Sequence, residues 1–330
     1  MKLTRRQFSH GLGLAAVASP LVGGRALAQT PAASPAASGW SFTDFRDVTV
    51  KLDEMPARVV AQTTSAASLW DFGVECVGFF GPNDYGTDFQ FPQVGRMDVP
   101  SMTQFGDWGE LDLEGLVATE ADVYVDIFRG GEALWYLGDA ETEERVRQIC
   151  PTIGIDANGV PFLDTVQEFE RLAVALGAEP EGDAIAESKA ALAEAETLFK
   201  ESLAGKEGLK VVPISLNPDG SAVLWNGNWL ADLQYMQDLG MTTVDVGVAD
   251  DVPNLAISVE QLGEYPADVY LVDSRESLED YEAVAIWNTL PAVQAGQVGW
   301  WYSSVLYSYR SLAEVLTLNS ETLAKAQPLS

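Results

Sequence analysis

A chain of 330 residues with 47% hydrophobic composition is long enough for two packed domains and too apolar to be an acidic disordered tail. Its 49 acids against 19 bases give a formal charge of −30, which disfavours nucleic acid and anionic membrane surfaces through repulsion. The only histidine is His10, so nearly the whole chain lacks the imidazole of Ser-His-Asp and Cys-His sites and the usual ligand of zinc and other transition metals.

The chain opens with Thr4-Arg5-Arg6-Gln7-Phe8, an apolar run from Gly11 to Val22, and Ala26-Leu27-Ala28 before Gln29. A charged start, a modest apolar run and an A-x-A end describe an export signal, and the paired arginines make it a twin-arginine one. The run is short for a membrane span, although an uncleaved anchor stays open. No cysteine follows it to take a lipid. Cleavage after residue 28 removes Lys2, Arg5, Arg6 and Arg25 and no acid, leaving 15 bases against 49 acids, a charge of −34. Residues 29–39 form a Pro/Ala/Ser linker without core-forming side chains.

Past the linker, short strands and helices alternate, the pattern of a parallel sheet. Arg58–Gln62 reads as a strand and Ala66–Phe72 as a helix stopped by Gly73. Cys76–Phe80 is the next strand, followed by the loop Gly81-Pro82-Asn83-Asp84-Tyr85-Gly86. A helix over Leu113–Thr119 feeds a strand over Val123–Ile127; a helix over Thr142–Ile149 precedes a strand at Pro151–Ile155. From Thr165 to about Ala204 the composition turns to Ala, Glu, Leu and Lys, with one break at Gly177–Gly182 and helical spacing at Leu192, Ala195, Leu198 and Phe199. Strands then resume at Lys210–Leu216 and Val298–Tyr302, with helices at Leu230–Leu239 and from Ser311. Cys76 and Cys150 both sit beside strand-like runs, and a disulfide or two buried thiols are equally open.

One segment returns. Leu113–Val125 (LEGLVATEADVYV) reappears as Val259–Leu271 (VEQLGEYPADVYL), aligning Glu114 with Glu260 and Ala121-Asp122-Val123-Tyr124 with Ala267-Asp268-Val269-Tyr270 at a constant offset of 146. That offset is too long for a solenoid repeat and suits two similar α/β lobes, with a cleft between them where a small ligand binds. Chance recurrence of a helix-Ala-Asp-strand segment is the plainer alternative. The same offset relates Arg129 to Arg275, each just past the strand of its copy. Both would reach the cleft mouth, where a guanidinium pairs with carboxylate or hydroxamate oxygens, or else each meets a nearby acid on the surface.

Six of the nine tryptophans, Trp108, Trp135, Trp225, Trp229, Trp300 and Trp301, lie in or beside connections rich in Gly, Asp, Asn and Ser. Loops at the carboxyl ends of strands face the ligand crevice of an open sheet, so these rings could clasp a large, partly apolar guest; ordinary packing is the alternative for each. No G-x-G-x-x-G follows a strand and no Walker sequence occurs, so nucleotide phosphates are not expected as cargo.

The export signal, the strand start Arg58-Val59-Val60-Ala61-Gln62-Thr63-Thr64-Ser65, the unit Leu113–Val125 and the turn Leu290-Pro291-Ala292-Val293-Gln294-Ala295-Gly296-Gln297-Val298 together resemble the periplasmic solute-binding proteins of ABC importers for iron-siderophores, haem and cobalamin. The resemblance spans essentially the whole chain past the signal. It implies an α/β fold of two Rossmann-like lobes with parallel sheets, an N-terminal lobe over 40–163 and a C-terminal lobe over 206–330, joined by long connecting helices over 164–205, with the ligand between. It implies capture of a ferric siderophore without chemistry and without a resident cofactor or metal, iron arriving only inside the chelate. It also implies an extracytoplasmic monomer that hands its cargo to a permease through Glu114 and Glu260. The residues expected at the ligand are Thr64, Ser65, Tyr85, Trp108, Arg129, Trp135, Tyr136, Trp225, Trp229, Arg275, Trp301 and Tyr302, with Arg96 or Arg310 as further bases. Lack of histidine departs from members that bind bare zinc or manganese, and leaves only tyrosines such as Tyr136 or Tyr302 for a haem iron. Many aromatics, few bases and a negative field favour a neutral or cationic ferric hydroxamate over a catecholate chelate. Readings that stay open are a haem- or cobalamin-binding member, an exported carboxylate-dependent hydrolase using the same cleft, and a surface adhesion module.

Overall fold

The structure is a computed structural model that describes residues 39–87, 89, 91–180, 182–217 and 220–329. The expected export signal, and all of the linker but Gly39, lie outside the described residues. A hairpin of Trp40–Thr43 and Thr49–Leu52 comes first. Its turn carries Asp44, whose carboxylate accepts the backbone N–H of Gly154 (2.9 Å), and Arg46, which bridges Asp44 to Glu143 (2.7 Å). The hairpin thereby occupies a backbone donor on the edge strand Thr152–Asp156, which would otherwise be open to another chain.

The first sheet is wholly parallel. From one edge to the other it runs Thr103–Gln104, Gly78–Phe80, Val59–Gln62, Val123–Phe128 and Thr152–Asp156. The second sheet runs Asn254–Ser258, Ser221–Trp225, Lys210–Leu216, Val269–Asp273 and Val298–Trp301, with Thr242–Thr243 also pairing Lys210–Leu216. This sheet is mixed, which corrects the expectation of two parallel sheets. The chain returns from Lys210–Leu216 through a short hairpin connection instead of a crossover helix, so Ser221–Trp225 must run antiparallel. Asn254–Ser258 then pairs antiparallel to Ser221–Trp225.

Alternation of side chains divides each sheet between two cores. In the first, Val59, Ala61, Val123, Val125 and Ile127 enter one apolar cluster, while Val60 and Tyr124 enter another behind the sheet. In the second, Val211, Val269 and Leu271 join that same first cluster, while Val212, Tyr270 and Val272 pack on the far side. Three helices fill the space between: Phe162–Ala175, the 21-residue Asp183–Leu203, and Tyr309–Lys325. Phe169, Phe199 and Leu312, all fully buried, come one from each. A buried side chain of this size contributes roughly 1.5–3 kcal/mol. The chain crosses to the second sheet through the first two helices, returns at Tyr302–Tyr309, and crosses again along Tyr309–Lys325, whose end meets Lys206. The crossing at Tyr302–Tyr309 is fastened by Ser308 Oγ donating to Asp71 (2.6 Å) and by Arg96, which pairs with both Asp71 and Glu314. Arg96 and Arg310 both pair with Glu314 at this joint.

The repeated segment has one structural job in both copies. Asp122 N–H donates to Arg58 O (2.9 Å), and its carboxylate accepts Arg58 N–H (2.8 Å) and Ala57 N–H (2.9 Å). Asp268 N–H donates to Lys210 O (2.8 Å), and its carboxylate accepts Lys210 N–H (2.8 Å) and Leu329 N–H (2.7 Å). Each aspartate staples the entry of its strand to the neighbouring one. The helix before it differs: Leu113–Thr119 is α-helical, whereas Val259–Glu264 is a 3-10 turn. Both copies are thus short helices; Gly263 and the following Tyr265-Pro266 give the second no room to complete an α-helix. Cys76 and Cys150 are free thiols, buried in different clusters. Asp268 is almost fully buried while Asp122 is partly open. Asp268→Ala leaves two N–H groups unpaired and should lower the unfolding free energy in urea by about 2–3 kcal/mol, with Asp122→Ala costing less; equal losses would contradict the difference in burial.

Candidate ligand-binding cleft

The parallel strands of both sheets present their carboxyl ends to one cleft of about 500 Å³, within the range of small-molecule sites. The first lobe supplies Thr64, Pro82, Gln93, Trp108, Ile127, Arg129, Trp135 and Tyr136. The second supplies Trp225, Trp229, Leu230, Pro253, Asn254, Arg275 and Trp301, and the crossing at Tyr302–Tyr309 supplies Ser303, Ser304 and Val305. A smaller chamber of about 380 Å³ adjoins it, sharing Arg129, Trp229, Leu230, Ser303 and Val305 and adding Asp232 and Tyr307. A larger depression of about 790 Å³ lies elsewhere, along the helices Asp183–Leu203 and Tyr309–Lys325. It is edged by Glu187, Glu194, Glu314 and Glu321 and gathers no tryptophan.

Trp108 heads the first wall. Its ring meets Trp135 edge-on at 5.8 Å and Tyr136 at 4.8 Å, and both tryptophans stay solvent-open, at 53% and 40% exposure. Tyr136 is fixed from behind, where its N–H donates to Asp126 Oδ2 (3.0 Å). Gly81 makes room for that ring: its φ is +120°, and a Cβ there would lie 2.9 Å from Tyr136. Burial pushes the Asp126 carboxyl up to about 8, although the N–H groups of Ile127 and Tyr136 pull it back.

On the second wall, Trp225 and Trp301 lie 4.9 Å apart with both indole N–H groups held. Trp301 Nε1 donates to Asp232 Oδ2 (2.8 Å), and Trp225 Nε1 donates to Ser215 Oγ (2.9 Å), which donates to Asp273 Oδ2 (3.1 Å). Burial raises the Asp232 carboxyl above its ordinary value, with the Trp301 N–H opposing it. Rings held this way lose little freedom when a guest arrives.

The two arginines that share the 146 offset differ. Arg275 grips Asp273 through Nη2 (2.7 Å) and Nε (3.1 Å). Burial alone would raise the Asp273 carboxyl; the Arg275 bonds and charge, with Ser303 Oγ (2.7 Å), outweigh it and hold it below the usual range. Arg129 makes no ion pair among the described residues. Its Nη2 donates to the Tyr307 hydroxyl (2.9 Å), and its buried Nε has no partner.

Three residues expected at the ligand stand elsewhere. Ser65 is buried, with Oγ and N–H both donating to Gln62 Oε1 (2.9 and 2.8 Å), capping the helix Thr63–Asp71; Thr64, one residue earlier, faces the cleft. Tyr85 lies 56% exposed in the loop after Gly81 and does not line the cleft. Tyr302 is buried, stacked on Phe91 at 4.6 Å with its hydroxyl donating to Pro92 O (3.1 Å), and so clasps that loop instead. The stretch Ser303–Tyr307 escaped the sequence reading. Its place just after the strand Val298–Trp301, at a carboxyl end, was the available signal.

No family model matches the chain. It is similar to DesE, a ferric-siderophore receptor protein from Streptomyces coelicolor, with 29% identity, a TM-score of 0.81, and coverage of 88% of this chain and 100% of that one. The chain is built as a two-lobed solute-binding protein. The resemblance to binding proteins of ABC importers, read from the sequence, is thus borne out. At lower identity the fold alone is shared with FhuD from Vibrio cholerae, solved with Fe³⁺-Desferal (18% identity, TM-score 0.61, covering 82% of this chain and 98% of that one). A Bacillus subtilis Fe(3+)-citrate-binding protein, YfmC, is 23% identical over 190 residues, spanning 55% of this chain and 58% of that relative. The solved neighbours are substrate-binding proteins, and they include periplasmic ones.

Asp126 is a group whose folded-state value stands above its ordinary 3.8, so the folded protein keeps a proton that the unfolded chain releases. Its contribution is therefore complete below 3.8 and is lost as pH rises towards about 8. The stability of the wild type minus that of Asp126→Asn, from urea unfolding across this window, should fall with rising pH. A flat or rising difference would show that Asp126 is ionised in the fold.

Proposed function

We infer that the protein is an extracytoplasmic substrate-binding protein that captures a ferric siderophore, of hydroxamate type, and delivers it to the permease of an ABC importer. The observation that carries this reading is the cleft itself: aromatic rings on both walls, held from behind, with one arginine that has no internal carboxylate. A chelate of this class offers an apolar backbone to the rings and anionic oxygens to Arg129 and, at the rim, Arg275. The likeness to a ferric-siderophore receptor over 88% of the chain supports it. Iron enters only as part of the chelate.

The reading involves no chemical step. Among the described residues the nearest buried carboxylates, Asp232 and Asp273, are engaged by Trp301 and Arg275, which favours binding over a pair of carboxylates free for hydrolysis. Burial of Tyr302 against Phe91 and Pro92 weighs against its use as a haem ligand. Glu114 and Glu260 both stand exposed in the first turn of their helical segments. We assign them to permease docking, with the protein acting as a monomer exported by the twin-arginine route.

Quenching of the cleft tryptophans reports binding. Titration with iron(III)–desferal, ferrichrome, an iron(III)–catecholate and cobalamin should give the tightest binding for a hydroxamate complex; a catecholate binding tightest would reject the cargo assignment. Glu114→Arg with Glu260→Arg should abolish uptake in cells and leave that affinity unchanged. A parallel loss of affinity would place these glutamates in the ligand site or the fold, and not at the permease.

A further inference from the structure

Arg129 stands apart from nearly all the other arginines. Arg46, Arg58, Arg96, Arg147, Arg171, Arg275 and Arg310 each pair with a carboxylate. In so acidic a chain, an enclosed cation that forms no ion pair is the exception and a costly one; Asp232 acts on it only through space. The repeat gives the reason. The residue two before Arg275 is Asp273, its partner; two before Arg129, in the same register, is Ile127. A guanidinium that no carboxylate holds could swing away from the cleft or fold back on Asp232 in the adjoining chamber. One contact prevents this: Nη2 donates to the Tyr307 hydroxyl at 2.9 Å.

Tyr307 is itself fixed without using that hydroxyl. Its ring stacks on Phe162 at 5.2 Å and Phe169 at 5.7 Å, both on the helix Phe162–Ala175, and its N–H donates to Ser68 Oγ (2.9 Å). The ring is thus seated by packing, and the oxygen is left over to receive the guanidinium. A neutral acceptor orients the cation and does not cancel its charge, which a carboxylate would do.

We propose that Tyr307 is a positioning residue for ligand capture, aiming the Arg129 guanidinium into the cleft while leaving its positive charge for the anionic oxygens of the chelate. This rests on the binding function inferred above. It makes the two walls unequal: the Arg129 side is charged and aimed, whereas Arg275 arrives already neutralised by Asp273. The guest's most anionic face should turn to the first lobe.

The test is a double-mutant cycle of Tyr307→Phe and Arg129→Gln, read by tryptophan quenching with whichever of iron(III)–desferal, ferrichrome and iron(III)–citrate the wild type binds tightest. Phenylalanine keeps the stacking on Phe162 and Phe169. Tyr307→Phe should weaken binding about tenfold in the wild-type background, the scale of one hydrogen bond to a charged group. It should change affinity less than about twofold when Arg129 is already glutamine. The thermal midpoint, measured in both backgrounds, should shift equally. If Tyr307→Phe weakens binding to the same degree in both backgrounds, or leaves the wild type unaffected, the positioning role is overturned while the binding function stands. If the wild type binds none of the three chelates, the binding function fails and takes this role with it.

Discussion

The constraint on which the structure depends is a single apolar core shared by both lobes. It begins on one face of the first sheet at Ala61 and Val125, passes through Phe169, Phe199 and Leu312 on three helices, and ends on the second sheet at Val211 and Leu271. Interiors this closely packed do not slide by small amounts without loss of contact. The chain crossings pass through that core, and the one at Tyr302–Tyr309 is bolted to the first lobe through Asp71, Arg96 and Glu314. The separation of the cleft walls is therefore set by the core, and a guest is received by a seat that already has its shape.

Inside the cleft, polarity is arranged by the shell behind the rings. Asp232 and Ser215 hold Trp301 and Trp225, and Asp126 holds the backbone of Tyr136. These buried carboxylates are thus spent on orientation, and the cationic character of the site falls to Arg129. A strongly acidic protein can in this way keep one local positive field for the iron-bound oxygens of a chelate, because enclosure weakens the screening of that one charge.

Much of this was legible in the sequence because it followed from periodicity. The 146 offset marked Asp122 and Asp268, which do the same work in each sheet, and placed Arg129 and Arg275 at equivalent strand ends. Trp108, Trp135, Trp225 and Trp301 stood out because loops at carboxyl ends face a crevice. What stayed hidden depended on the direction of single side chains. Thr64 and Ser65 are neighbours on a helix and point about 100° apart, so only one reaches the cleft. Tyr302 lies one residue past the strand that ends at Trp301 and, within the same apolar core, turns to Phe91 and Pro92 instead of the cleft. The antiparallel return of Ser221–Trp225 carries no helix to announce its absence, and two of its residues, Ala222 and Leu224, alternate as either direction would allow. Tyr307 sits in no regular element, and its value rests on Arg129 having no acid, visible only once Ile127 is set beside Asp273.

The most direct test of a preformed cleft is a pair of crystal structures, one of the free protein and one with iron(III)–desferal. The fixed seat predicts the chelate between the Trp108 and Trp225 walls, its hydroxamate oxygens towards Arg129, with the two sheets superposing between the structures to within about 1 Å. A chelate bound in the outer groove along Asp183–Leu203, or a rotation of one sheet against the other by several ångströms, would contradict it.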